Sequence, residues 1–239
     1  MSAPRRFPTT QWSIVFTAQG VKTPDAHDAL ERLFAIYWYP VYAFIRSRTG
    51  QPADAEDLTQ GFFASLLNLH SLDAVRPEYG RFRAFLLASA KHYLSAERAR
   101  DHTQRRGGNL TILPLDFGSA DTRYRLESSG TDNPELTFER QWARATFDAA
   151  LEKLRQEFAE SGKAVPFEAF RQYLTATAQP MSYADVAAAL GMTEAAVKVA
   201  VHRARRRFGH FLREQISETV AEGHRAVHDE VRYLLGLLT

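Results

Sequence analysis

The chain has 239 residues, 45% of them hydrophobic and 24% charged, with a net charge of +2. These ordinary globular values allow one large domain or two small ones and exclude a disordered or low-complexity polymer. The absence of cysteine excludes a disulfide scaffold, a cysteine zinc site, an iron–sulfur centre and a thiol nucleophile. No apolar run approaches the ~18 residues of a membrane span. The opening stretch MSAPRRFPTTQWSIVF is too short in its apolar part for a signal peptide. The expectation is a cytoplasmic protein with no membrane insertion.

Charge is unevenly placed. ADAEDLTQGFF (53–63) holds Asp54, Glu56 and Asp57 and no base. Residues 76–106 hold eight bases against three acids, and residues 198–213 hold six bases and no acid. Arg outnumbers Lys in both segments, and the planar guanidinium suits phosphate and base edges. Two separate basic segments fit contacts along a polyanion, although most charge runs are simply solvated surface.

Helical periodicity dominates, so the fold class expected is all-α. Residues 26–49 carry Leu30, Leu33, Phe34, Tyr37, Trp38, Val41, Tyr42 and Ile45 three and four apart. Pro40 is expected to kink or split this element, and Gly50–Gln51–Pro52 ends it. A second helix is expected over 53–70 with Leu58, Phe62, Leu66 and Leu69 inward. A third is expected over 82–103, with Phe82, Phe85, Leu86, Ala90, Tyr93 and Leu94 inward and the first Arg cluster outward.

Residues 109–134 are rich in Gly, Ser, Asp and Pro. They read as a partly ordered linker with one short strand signal, 110–115, and no sustained helix pattern. Amphipathic helices are expected over 136–158 and 167–178. Past them, Val220, Val227, Val231, Leu234, Leu235 and Leu238 suggest a further amphipathic helix in a C-terminal extension. The domain plan is an N-terminal extension (1–24), a helical domain (25–106), a linker (107–135), a second helical domain (136–215) and the C-terminal extension (216–239).

The most informative local stretch is SYADVAAALGMTEAAVKVAVHRARRRFGHF (182–211). Ser182 with Asp185 resembles a capping box. Gly191 stands where a left-handed helix end is needed, and Thr193 suits a second cap. Val197, Val201, Ala204, Phe208 and Phe211 form a packing stripe that leaves Lys198, His202, Arg203, Arg205 and Arg206 elsewhere. A helix-turn-helix is expected, its second helix entering the major groove; an ordinary helical hairpin has the same outline, and the six bases favour DNA. Thr193, Glu194, Ala195 and Lys198 would face base edges and the later Arg residues phosphates. For Glu194 two readings stand: an acceptor for a cytosine amino group, or a carboxylate favoured at a helix N-terminus.

ADAEDLTQGFF, EYGRFRAFLLASAKHYLSAERAR and SYADVAAALGMTEAAVKVAVHRARRRF, in this order and at these separations, resemble the conserved regions of bacterial sigma factors of the sigma-70 class. The extracytoplasmic-function (ECF) group is the nearest. The resemblance implies a region 2 bundle of three or four helices, a linker without region 3, and a region 4 helix-turn-helix bundle. It implies that Asp54, Glu56, Asp57 and Gln60 dock on the β′ clamp helices of core RNA polymerase. Tyr79, Arg81, Arg83, Lys91, His92, Arg98 and Arg100 would bind and open the −10 element. Thr193, Glu194, Ala195, Lys198, His202, Arg203, Arg205 and Arg206 would read the −35 element, and the same domain would meet the β flap.

The implied partners are core polymerase and promoter DNA, with an anti-sigma protein or a Ser/Thr kinase as regulators; no cofactor is implied. Thr59, inside the acidic helix, is a candidate phosphosite, since a phosphate would add negative charge to the polymerase-facing patch. The N-terminal segment, the elaborate linker and the C-terminal tail exceed what the simplest members need.

An enzyme is disfavoured, for GxxxxGK[ST], GxSxG and HExxH are all absent from the sequence. His224 and His228 have metal-pair spacing but no evident third ligand. The alternative function is that of a helix-turn-helix regulator acting without sigma activity, which would bind palindromic DNA as a dimer and leave the acidic segment unexplained.

Overall fold

The computed structural model describes residues 24–68, 81–101, 115, 117–127, 133–175, 179–217 and 224–238. Among these the fold is all-α, as the periodicity predicts. Nine helices follow in order: α1 (Pro24–Arg46), α2 (Pro52–Asn68), α3 (Phe82–Asp101), α4 (Ala120–Glu127), α5 (Pro134–Glu160), α6 (Ala164–Arg171), α7 (Tyr183–Leu190), α8 (Glu194–Ser217) and α9 (His224–Leu238). The chain divides into two compact units, residues 1–145 with 216–239, and residues 146–215. The N-terminal extension, most of the 110–115 strand signal, Leu69, Tyr79 and Val220 lie outside the described residues.

In the first unit α1 is the central helix. Residues 39–45 are buried without interruption, which a helix does only when other elements surround it. Tyr37, Tyr42, Phe44 and Ile45 have no exposed surface, and burial of each such side chain contributes roughly 1.5–3 kcal/mol. Of the two expected outcomes, a split does not occur: α1 continues through Pro40. An interior proline costs an isolated helix about 3 kcal/mol, and packing on all sides of this turn offsets the loss.

The inward face of α2 also differs in detail. Ala55, Thr59, Phe62, Phe63 and Leu66 are buried, while Leu58 is only half-buried. The helix is thus rotated toward its small residues. Thr59 tolerates full burial because its hydroxyl donates to the Ala55 carbonyl at 2.6 Å, the local back-bond open to a helical threonine.

The linker reading needs correcting at α4, a helix where no helix pattern was evident. Its sequence ADTRYRLE is polar on nearly every face, so no apolar period announces it. It is anchored by charge and by rings: Asp121 accepts from Arg46 at 2.8 Å, Glu127 from the Tyr39 hydroxyl at 3.1 Å, and the Arg123 guanidinium lies 3.8 Å from the Tyr39 ring centre. Phe117, just before the helix, meets Trp38 and Tyr42 at 5.6 and 5.7 Å.

In the second unit Phe170, Val186, Ala187, Val197 and Val201 form a small core, with Phe158, Tyr173, Tyr183, Leu190 and Met192 packed around it. Phe208 meets Phe147 edge-on at 4.8 Å. The α6 helix ends at Arg171, earlier than the expected Ala178; tight bonds such as Leu174 N–H to the Arg171 carbonyl at 2.9 Å take over after it.

Candidate nucleic-acid interface

The helix-turn-helix forms by the local chemistry its sequence displays. Ser182 caps α7, its oxygen accepting from the Asp185 N–H at 3.1 Å and its hydroxyl donating to the Asp185 carboxylate at 2.6 Å. Gly191 ends α7 in the left-handed region, at φ 61°. Thr193 then caps α8, accepting from the Ala196 N–H at 3.2 Å. Val197, Val201, Ala204, Phe208 and Phe211 are buried as expected.

That stripe turns the opposite face outward. Thr193, Glu194, Ala195, Lys198, His202, Arg203, Arg205 and Arg206 are all exposed. Lys198 is ion-paired to Glu194 at 2.6 Å, and this hydrogen bond raises the lysine above its ordinary pKa. Arg205 donates to the Tyr173 carbonyl at 3.2 Å, which fixes its direction. An open groove along the second half of α8 is lined by Arg203, Arg206, Arg207, His210 and Arg213, a surface suited to phosphates.

Sequence reasoning left three of these residues out. Arg207 pairs with Glu157 at 2.5 Å and lies over the Phe211 ring at 4.3 Å. Arg213 and His210 continue the basic run by one further turn, visible in the sequence as an unbroken acid-free stretch. Val199 is 51% exposed within the polar face; an apolar side chain there suits a thymine methyl group.

The first unit is less simple. On α2, Asp54 and Asp57 are exposed, and Glu56 and Gln60 half-buried. Glu56 faces Tyr42, whose phenol is held above its ordinary pKa chiefly by burial, with Asp121 and Glu56 adding to it. Thr59 belongs to the same helix but has no exposed surface, so its hydroxyl lies beneath the acidic face.

The bases of α3 are largely engaged within the chain. Arg83, expected on the outward face, is 4% exposed. It lies on the buried stripe with Leu86, Ala90 and Leu94. Its guanidinium pairs with Glu139 at 2.6 Å and with Glu230, 4.4 Å from the Trp142 ring centre and 4.9 Å from that of Tyr233. Arg81 pairs with Glu230 at 3.0 Å. Lys91 pairs with Glu135 at 2.6 Å, and that bond holds the Glu135 carboxyl below its usual range. Arg98 reaches the Arg48 carbonyl at 3.4 Å, and Arg100 pairs with Glu97 at 2.5 Å. His92 is exposed beside a groove shared with Phe62, Ser89, Tyr93 and Arg100. Burial pushes the Tyr93 phenol up to about 12.

Glu230 was not singled out from sequence. Glu230 sits on the stripe Val227–Glu230–Val231–Leu234, and an acid on an apolar stripe marks a buried partner. Among the described residues no three His, Asp or Glu side chains converge to hold a metal ion, and no helix is long and apolar enough to cross a membrane.

Taken alone, the second unit defines a helix-turn-helix protein with a basic recognition helix. Family comparison narrows this. Residues 33–105 match the sigma-70 region 2 family, and residues 177–208 match the sigma-70 region 4 family. The chain is 28% identical over 180 residues to an ECF RNA polymerase sigma factor, SigE of Mycolicibacterium smegmatis; the match covers 75% of this chain and 60% of that relative. No solved structure matches. With the region 2 and region 4 matches in that order, the chain is similar to sigma factors of the sigma-70 class and, within it, to a member of the ECF group.

Proposed function

We propose that this protein is a sigma factor: it joins core RNA polymerase and directs it to promoters by contacts to −10 and −35 elements. The observation that carries the reading is the exposed face of α8. Eight side chains chosen from sequence for −35 contact stand together on it, next to a groove lined by arginines. Thr193, Glu194, Ala195, Lys198 and Val199 read base edges; His202, Arg203, Arg205 and Arg206 hold phosphates. The same domain meets the β flap.

In the first unit Asp54 and Asp57, exposed one turn apart, lead the contact with the β′ clamp helices, flanked by Glu56 and Gln60. Tyr79, Arg81, Lys91, His92, Arg98 and Arg100 supply the −10 contacts, with Arg83 joining them once it is freed. The chemistry is recruitment rather than catalysis. Two DNA-binding modules become effective together when polymerase holds both, because the second contact is then intramolecular. An anti-sigma protein or a Ser/Thr kinase would act on this assembly. Phosphorylation of Thr59 would require its hydroxyl to leave the Ala55 carbonyl and turn outward beside Asp57.

The test is capture of the chain by purified core polymerase, comparing wild type with the double variant Asp54→Lys, Asp57→Lys. Retention of wild type and loss of the variant, with unchanged helicity, supports the reading. Equal retention of both removes these residues from the contact; no retention of either removes the sigma reading.

A further inference from the structure

The ion pairs of α3 have an unusual origin. Arg81, Arg83 and Lys91 all fall within the region 2 match, yet the acids that neutralise them, Glu135, Glu139 and Glu230, come from segments beyond it. Of these, Glu230 is the most constrained. It is 0% exposed, and a carboxylate out of water is tolerated only when it is paired. Its partners are the two bases that open α3. Tyr233, one turn along, adds its ring to both: the guanidinium carbons of Arg81 and Arg83 lie 6.0 and 4.9 Å from its centre.

We infer that α9 is an internal latch whose Glu230 carboxylate occupies the place of a nucleic-acid phosphate on Arg81 and Arg83. The inference rests on the proposed −10 role of these arginines and assigns a regulator to that site. Phosphate and Glu230 compete for the same guanidinium groups. DNA that takes Arg81 and Arg83 strands Glu230 without a cation in apolar surroundings, and α9 leaves. Reciprocally, a docked α9 weakens DNA binding by the same factor, as linkage requires.

The attachment is suited to release. Glu230 and Leu234 are the fully buried side chains of the described part of α9, while Tyr233 and Leu235 are 40% and 43% exposed. A helix of 15 residues is marginal by itself in water, so its order depends on this contact.

The experiment uses the full chain, without polymerase, and a short single-stranded DNA oligonucleotide. Binding is measured over a series of salt concentrations for wild type and Glu230→Gln. Both proteins end with the same cations on phosphate, so their slopes of log affinity against log salt agree, and Glu230→Gln, which has no latch to open, binds about tenfold more tightly at 0.1 M salt. Because the chain is free of cysteine, spin labels at Ser95→Cys on α3 and Arg232→Cys on α9 report the latch directly. One short distance in the free protein, replaced by a longer population at saturating DNA, is the expected result. Equal affinities of the two proteins across the salt series, or a label distance unchanged by DNA, overturns the latch. If Glu230→Gln loses helicity, the label distance alone decides. A chain that releases α9 on DNA but never programs core polymerase would sink the sigma reading and leave the latch standing.

Discussion

The Glu194 carboxylate holds the Lys198 ammonium at 2.6 Å, one turn apart on the exposed opening of α8. Both groups would face DNA, so the pair must open before Lys198 can meet a phosphate or a base edge. Glu194→Gln removes the competitor. If Glu194 is only a helix N-terminal carboxylate, the variant binds −35 duplexes more tightly, with a salt slope steeper by about 0.9. If it accepts from cytosine, the variant instead loses about 1–3 kcal/mol of discrimination at one base pair. Fluorescence anisotropy on matched and single-substituted duplexes separates the two.

At Gly191 the backbone alone sets the cost of substitution. Its φ is 61°, and a Cβ would meet nothing within 4 Å. Gly191→Ala should therefore destabilise the second unit by roughly 1 kcal/mol, the cost of a left-handed non-glycine residue, with no added steric loss. Urea unfolding of the two proteins measures it; an effect near zero contradicts the cap assignment.

That cap was legible from sequence, as were the α8 stripe and eight of its outward residues, because local rules govern them: a capping oxygen, a glycine, a 3.6-residue period. The first unit was less legible where long-range partners decide. Arg83 reads as one more base on an outward face until Glu139, Glu230 and Trp142 close on it from residues far along the chain. The α4 helix has no apolar period, and its anchors Arg46 and Tyr39 belong to α1. Pro40 signals a kink or a split, and the packing around α1 prevents the split.

The buried Thr59 hydroxyl gives a graded prediction. Thr59→Val keeps the shape and loses the bond to the Ala55 carbonyl, costing about 1 kcal/mol. Thr59→Asp places a charge at a position with no exposure and should cost several-fold more. Thermal unfolding ranks wild type, Val and Asp in that order. An Asp variant as stable as the Val variant would mean that α2 readily turns this position outward, as phosphorylation requires.

Acid should weaken the α1–α4 contact. The Asp121 carboxyl is held below its usual value, chiefly by the hydrogen bond from Arg46. A lowered folded pKa stabilises the protein above the unfolded pKa, and that stability is lost as pH falls through the folded value. Arg46→Met removes the cause, so the variant's stability should vary less with pH below the ordinary carboxylate range. Unfolding midpoints of the two proteins from pH 6 downward test this; parallel curves would show that Asp121 contributes nothing there.

Run-off transcription is the most direct measurement of the central claim. Purified core polymerase is supplied with a mixed library of promoter duplexes, with and without this chain, and the RNA 5′ ends are mapped. With the chain present, starts should gather at a fixed distance downstream of one shared pair of sequence elements, and Asp54→Lys with Asp57→Lys should abolish the effect. Start sites that stay where core polymerase alone puts them would contradict the account.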